Sequence, residues 1–94
     1  MKIIWSPEAL ADLEAVIDYL AQRNPSAAKR LGTAVLALLE QLAVEQLDGP
    51  EHVLRTGERV RGWPCPPLRV YYQRTKDAFI VVRIYHQRRE PLAR

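Results

Sequence analysis

The segment from Leu68 to Arg89 places the strongest constraint on what this chain can fold into. Its sequence is LRVYYQRTKDAFIVVRIYHQRR. Leu, Val and Tyr alternate with Arg, Tyr and Gln over the first six positions, which is the period of a half-buried β-strand. Thr75-Lys76-Asp77 predicts a turn. Phe79 to Ile84 is apolar and rich in β-branched residues apart from Arg83, so we expect a strand buried on both faces.

The second strand of this hairpin leads into a basic cluster. His86, Arg88 and Arg89 follow it closely, so the strand resembles a scaffold that presents a cationic site. Residues 1–50 contain four Lys or Arg and seven Asp or Glu, a balance of −3, whereas residues 51–94 contain ten and four, a balance of +6. Arginine matches the geometry of phosphate and carboxylate groups, so the second half is expected to meet an acidic partner. The alternative is a solvated basic face without a ligand.

The N-terminal residues predict a short strand and a first helix. Lys2 to Trp5 is expected to be an edge or first strand. Ser6 is a favourable N-cap and Pro7 suits the first helical position, so the helix is expected to run to about Gln22. The expected apolar stripe is Leu10, Leu13, Ile17 and Leu20, with Asp12, Glu14 and Asp18 lying away from it.

A second helix is predicted to follow directly. Asn24 is its expected cap, Pro25 its first residue, and Asp48-Gly49-Pro50 its stop signal. Two amphipathic helices with a short connection form an αα-hairpin. The stripe expected to pack on the sheet is Ala28, Leu31, Val35, Leu38 and Leu42.

The period changes to two after His52. Val53 to Arg61, with a turn at Thr56-Gly57, predicts a hairpin or a short irregular strand pair. The three prolines in Trp63 to Pro67 exclude a central strand and favour an edge, a bulge or a loop. The predicted fold is one α+β domain over residues 1–94, of order β-α-α-β-β-β, with the helical hairpin packed on a mainly antiparallel, twisted sheet.

Composition excludes several classes of protein. No run approaches the roughly 18 apolar residues of a membrane span, and the N-terminus lacks the features of a secretory signal. The lone Cys65 cannot form an internal disulfide, which fits a reducing cytoplasm. One cysteine and two histidines give no metal-ligand spacing. We therefore expect a cytoplasmic protein without metal or cofactor and without a membrane partner.

Several motifs, taken together and in this order, resemble the RelE/ParE superfamily of bacterial toxins. They are a strand followed by Trp5-Ser6-Pro7-x-Ala9 and two helices, then Arg61-Gly62-Trp63-Pro64, then a strand ending in Tyr71-Tyr72, then Val82-Arg83-Ile84-x-His86-x-x-Arg89. The resemblance covers nearly the whole chain. The closing motif and the Trp-Pro segment are most similar to the ParE branch.

This resemblance implies a toxin of a type II toxin–antitoxin system, of the plasmid-stabilization kind, which forms a hetero-oligomer with a cognate antitoxin. Members of the ParE branch inhibit DNA gyrase, whereas members of the RelE branch cut messenger RNA on the ribosome. Fold alone does not choose between these targets. A third reading is a non-toxic module that still binds the antitoxin.

Two sets of residues follow from these alternatives. A ribonuclease would use Glu58, Arg61, Arg83 and His86 as acid, base and phosphate-binding groups. This set departs from the superfamily pattern, because Tyr85 precedes His86, the chain continues after the histidine, and the cleavage lysines are absent. We therefore predict a gyrase inhibitor that acts by protein–protein contact. Its expected target-binding residues are Trp63, Arg83, His86, Arg88 and Arg89.

Each candidate residue also has a purely structural interpretation. Arg83 could pair with Glu58 or another carboxylate across the sheet, and His86 could be a hydrogen-bonded residue at a strand end. Arg88 and Arg89 could be a solubilising tail. The remaining expectations are a surface position for His52, a small packed side chain at Cys65 and a partly buried aromatic at Trp63.

Overall fold

A computed structural model describes residues 1–87 of the chain as one five-stranded sheet with two helices on one of its faces. The elements are β1 (Lys2–Trp5), α1 (Pro7–Ala21), α2 (Pro25–Glu45), β2 (Glu51–Val53), β3 (Arg59–Cys65), β4 (Leu68–Arg74) and β5 (Ala78–His86). The strand order is β1-β5-β4-β3-β2; β1 is parallel to β5, and the other pairs are antiparallel. The predicted α+β class is confirmed. The short β2 adds a strand to the predicted order, at the place where a short strand pair was expected.

The helices begin where the capping residues predict. The Ser6 hydroxyl accepts a hydrogen bond from the Ala9 N–H at 2.9 Å, and Asn24 Oδ1 accepts one from the Ala27 N–H at 3.1 Å. Each cap is followed by proline at the start of the helix. The second helix ends three residues before Asp48, because Gln46 adopts the left-handed conformation with φ 54°.

The main core lies between the helices and the sheet. Tyr72 and Phe79 are fully buried and stack with their ring centroids 4.7 Å apart. The predicted stripe of α2 is buried except for Leu38, which is half-buried, while the fully buried Leu39 was missed. The prediction for α1 is wrong at Leu10, which is 47% exposed, because the helix turns the small Ala9 toward the sheet instead.

The opposite face of the sheet carries a second, smaller core. It consists of Leu54, Val60, Tyr71 and Val82, with Ile80 and Tyr85 packed against them. Because Phe79, Val81 and Ile84 belong to the main core, β5 has buried residues on both faces, as its apolar sequence predicts.

The proline-rich segment lies at an edge of the sheet. An edge was one of the three expected structures, beside a bulge and a loop. Pro64 lies within β3, but the register of β2 with β3 ends at Arg61, so this part of β3 has β4 as its strand neighbour. A proline is tolerated there because no second neighbouring strand requires a hydrogen bond from its backbone nitrogen. The Pro66-Pro67 peptide bond is cis and connects β3 to β4. Among residues 1–87, no helix is both long enough and apolar enough to cross a membrane.

Candidate functional site

Arg83 and Asp12 form a two-point ion pair between β5 and α1. Arg83 Nε donates to Asp12 Oδ2 at 2.8 Å and Nη2 donates to Oδ1 at 2.9 Å. Asp12 Oδ2 also accepts the backbone N–H of Ile84 at 3.0 Å. The register of β1 with β5 ends at Val81. Asp12 therefore takes the place of a neighbouring strand along the outer edge of β5.

This pair corrects the expected direction of Asp12 and identifies the carboxylate partner of Arg83. Asp12 was expected to lie away from the sheet, but its side chain is only 17% exposed and that of Arg83 27%. The expected partner of Arg83 was Glu58 or another carboxylate, and the partner is Asp12. The Asp12 carboxylate raises the pKa of Arg83 through their hydrogen bonds. The spacing of Asp12 could have predicted this position. It lies three residues after Ala9 and four before Val16, which puts it on the helix face that packs on the sheet.

A row of aromatic rings crosses the far face of the sheet beside this pair. The rings of His52 and Tyr71 meet edge-on with centroids 5.8 Å apart, and those of Tyr71 and Tyr85 at 6.1 Å. The guanidinium carbon of Arg83 lies 4.6 Å from the ring centroid of Tyr85. The side chains of α1, β5, β4 and β2 are thus connected across the sheet.

The position of His52 differs from the prediction. It was expected on the surface, but it is half-buried, and its Nε2 is buried without a hydrogen-bond partner among residues 1–87. Gly62 explains this burial, because a Cβ there would lie 3.1 Å from His52 Cδ2 and 3.2 Å from Tyr71 Cε1. The absence of a side chain at Gly62 makes room for both rings.

A groove runs between α1 and the outer edge of β5. Its volume is about 540 Å³. Ala11 and Ala15 form its low helical wall, and Tyr85 and His86 lie on the strand side. Tyr19, 60% exposed, lies at its rim with the guanidinium of Arg23 3.9 Å from its ring centroid. Small side chains between aromatic ones give a concave, largely apolar surface of the kind that binds another macromolecule.

The structure brings some of the expected target-binding residues to one end of the sheet. Trp63 is level with Val70, which is level with Ile84, and His86 pairs with Leu68. Trp63 and His86 are therefore two strands apart, roughly 10 Å across the sheet from the strand spacing of about 4.8 Å. Trp63 packs against the main core as the partly buried aromatic expected. Arg88 and Arg89 lie outside the described residues.

Glu58 and Arg61, two of the four residues of the ribonuclease set, do not converge with His86. The Glu58 carboxylate accepts from the Thr56 hydroxyl in the turn between β2 and β3, and Arg61 donates to the Gly49 carbonyl at 2.9 Å. His86 is level with Leu68 and Cys65. Arg61 lies four residues from Cys65 along β3, and Glu58 lies seven residues from Cys65, one residue before β3 begins. At about 3.3 Å per residue, these offsets are roughly 13 and 23 Å along the strands.

Much of the arginine excess serves the chain itself. Arg74 donates to the carbonyls of Leu42 and Leu47 and to Asp48, and thereby ties the end of α2 to β4. Arg61 contacts Glu51 at 3.5 Å in addition to its bond with the Gly49 carbonyl. Arg61 and Arg74 therefore have carboxylate partners within the chain.

Cys65 is buried, as expected for a small packed side chain, and burial raises the pKa of its thiol. No group of three potential metal-ligating side chains comes together among residues 1–87.

A helical hairpin packed on a sheet of order β1-β5-β4-β3-β2 defines the class as a toxin fold of the RelE/ParE superfamily, and three comparisons agree. The sequence profile of the ParE toxin of the type II toxin–antitoxin system parDE matches residues 3–91. Toxin RelE2 of Caulobacter vibrioides is 31% identical over 88 residues, covering 94% of this chain and 97% of that protein. The solved chromosomal ParDE TA system from P. aeruginosa contains a chain that superimposes with a TM-score of 0.74 at 20% identity, covering 92% of this chain and 95% of that one.

The chain therefore belongs to the ParE toxin family of type II toxin–antitoxin systems. The likeness to the P. aeruginosa structure establishes the fold.

Proposed function

We propose that this toxin inhibits DNA gyrase in the bacterial cytoplasm through protein–protein contact and without a catalytic centre of its own. A cognate antitoxin neutralises it by forming a hetero-oligomer. The observation that carries this proposal is the separation of Glu58 and Arg61 from His86, combined with membership of the ParE family. General acid–base catalysis requires groups within hydrogen-bond reach of one substrate, whereas a docking surface does not.

The proposed target surface is the groove between α1 and β5, continued by Trp63 at the same end of the sheet. His86 and Trp63 are proposed to contact the target, together with Arg88 and Arg89. Arg83 is proposed to contribute its remaining exposed edge, while its pairing with Asp12 holds α1 in position as the groove wall.

The antitoxin is proposed to supply an amphipathic, acidic segment. A small basic chain with a concave apolar surface fits such a segment. Because the antitoxin would bind the folded toxin only, the complex is expected to melt at a higher temperature than the toxin alone.

Two substitutions distinguish the proposal from a ribosome-dependent ribonuclease. The purified toxin is assayed for inhibition of gyrase supercoiling and for cleavage of mRNA on programmed ribosomes, with His86→Ala and Glu58→Ala beside the native chain. We expect gyrase inhibition that His86→Ala weakens and Glu58→Ala leaves unchanged. Cleavage that both substitutions abolish, without gyrase inhibition, would assign the ribonuclease instead.

A growth assay tests the remaining alternative, a non-toxic module that binds the antitoxin. Expression in a host without the antitoxin is expected to stop growth, and co-expression of the antitoxin is expected to restore it. Normal growth with a folded, antitoxin-binding product would contradict the proposed toxicity.

A further inference from the structure

The solvent-facing side of α2 carries opposite charges in its two halves. Lys29 and Arg30 lie in the N-terminal half and Glu40 and Glu45 in the C-terminal half, and all four side chains are exposed. With 3.6 residues per turn, Lys29 and Glu40 fall on one flank of this face, and Arg30 and Glu45 fall on the other.

This arrangement does not stabilise the helix itself. The helix dipole favours acidic residues in the first turn and basic residues in the last, and α2 has neither. No oppositely charged residue lies three or four positions from any of the four, so they form no pairs along the helix. The ion pairs found within residues 1–87 involve Arg61, Arg74 and Arg83 instead.

The N-terminal half of the same face is low and reaches the middle of the helix at Ala37. A shallow groove of about 490 Å³ runs along it, lined by Ser26, Lys29, Arg30, Thr33, Ala34 and Ala37. Leu36 is 54% exposed near the middle of the helix, and Val44 is 77% exposed near its C-terminal end. Small residues allow close approach of another helix, and the two apolar side chains would gain from being covered.

We propose that this face of α2 binds the same face of a second copy of the chain, with the two helices antiparallel. A two-fold axis near Leu36 and Ala37 places Lys29 on the same flank as Glu40 of the second copy. It places Arg30 on the same flank as Glu45 of the second copy. At 1.5 Å per residue each pair is offset by about 5 Å along the helix, within reach of a long basic side chain.

Symmetry selects this orientation. A parallel pairing would place Lys29 on the same flank as Arg30 of the second copy, and Glu40 on the same flank as Glu45 of the second copy. Like charges that lie close together oppose association. The antiparallel pairing satisfies all four charges at once in both copies. One helix face covers less than the roughly 800 Å² per partner of a standard interface, so the dimer is weak and sensitive to salt. This inference does not depend on gyrase being the target.

A charge-swap experiment with the full chain tests the proposal. One variant carries Lys29→Glu with Arg30→Glu, and the other carries Glu40→Lys with Glu45→Lys. Sedimentation velocity over a wide concentration range is expected to show a reversible dimer of the native chain that high salt weakens. Each variant alone is expected to dimerise at least about tenfold more weakly, and an equimolar mixture is expected to recover dimerisation.

The controls separate this interface from general charge effects. Lys2→Glu with Lys76→Glu makes the same change in net charge at exposed positions outside α2 and is expected to leave the dimer intact. Ala37→Arg puts a bulky cation at the two-fold axis and is expected to abolish the dimer while the circular dichroism spectrum remains native.

Two results would overturn the proposal. One is a native chain that remains monomeric at every concentration, particularly if Lys29→Glu with Arg30→Glu weakens antitoxin binding, because the face would then belong to the antitoxin. The other is a failure of the mixture of swapped variants to associate.

Discussion

The hydroxyl of Tyr72, on the fully buried β4 side chain, bridges the two ends of the loop after α2. It accepts a hydrogen bond from the Gly49 N–H at 2.9 Å and donates one to the Leu47 carbonyl at 3.0 Å. Tyr72 therefore holds, together with Arg74, the segment by which the chain returns from the helices to β2.

Tyr72→Phe is expected to destabilise the chain by about 1–3 kcal/mol, because it leaves the buried Gly49 N–H without an acceptor while preserving the packing. The free energy of unfolding in urea measures this. Tyr19→Phe removes the same atom from a ring that is 60% exposed and is expected to change the stability by less than about 0.5 kcal/mol. Equal effects of the two substitutions would show that the Tyr72 hydroxyl does not hold the loop.

Replacement of Gly32 and of Gly49 by alanine is expected to change the stability of the chain in opposite directions. Gly32 lies inside α2, and the nearest atom to a Cβ there is Ile17 Cδ1 at 3.7 Å, an ordinary contact. Gly32→Ala is therefore expected to stabilise the chain by roughly 0.5–1 kcal/mol. A Cβ at Gly49 would overlap the backbone carbonyl of Gly62, so Gly49→Ala is expected to cost on the order of 3 kcal/mol.

Thermal and urea unfolding of both glycine variants check the contrast. A neutral Gly49→Ala would mean that the loop moves away from β3 without penalty. A destabilised Gly32→Ala would mean that the two helices pack more tightly than the 3.7 Å separation indicates.

Local sequence signals determine much of this fold. Both helix starts were predicted correctly from their capping residues, and the reason is that capping is a local interaction. Ser6 with Pro7 and Asn24 with Pro25 act on the backbone within four residues, so their effect does not depend on the rest of the molecule. The β4–β5 hairpin follows in the same way from alternation and a turn.

The sequence could not predict the features that depend on the relative positions of helices and strands. The direction of Asp12 follows from α1 crossing β5 beyond the end of β1, and the burial of His52 follows from space left by Gly62 on another strand. For the candidate site, the sequence placed Arg83 within the last strand and His86 at its end, and β5 includes both residues. The separation of Glu58 from His86 required the register of three strands.

Cys65 is expected to remain an unreactive thiol while the chain is folded. Burial raises its pKa above the usual 9.0, because the charged thiolate is disfavoured in the core. Modification by a thiol reagent is therefore expected to follow unfolding in urea. Rapid modification of the folded chain would contradict this.

The same pKa shift has a consequence for stability at high pH. A group whose pKa is raised by folding stabilises the folded state fully below its unfolded pKa, and this contribution is lost as the pH rises through the folded value. Alkaline conditions above about pH 9 should therefore destabilise the native chain more than Cys65→Val, which has no thiol to ionise. Identical pH profiles of the two chains would contradict the expected linkage.

The last prediction concerns whether Arg83 acts on the target directly or through Asp12. Asp12→Ala and Arg83→Ala are each expected to destabilise the chain by roughly 1–3 kcal/mol, since each leaves a partly buried charge unpaired. Asp12→Ala is expected to cost more, because it also removes the acceptor of the Ile84 N–H. The double variant is expected to lose less than the sum of the two, and the difference gives a coupling energy of about 1–2 kcal/mol.

Toxicity separates the two roles of Arg83. If Arg83 acts by holding α1 as the groove wall, both single substitutions are expected to reduce growth inhibition together, in proportion to their loss of stability. Asp12→Asn retains an oxygen for the Ile84 N–H and is expected to lie between Asp12→Ala and the native chain in both measurements. A stable, folded Arg83→Ala that has lost toxicity beside a fully toxic Asp12→Ala would show instead that the guanidinium itself contacts the target.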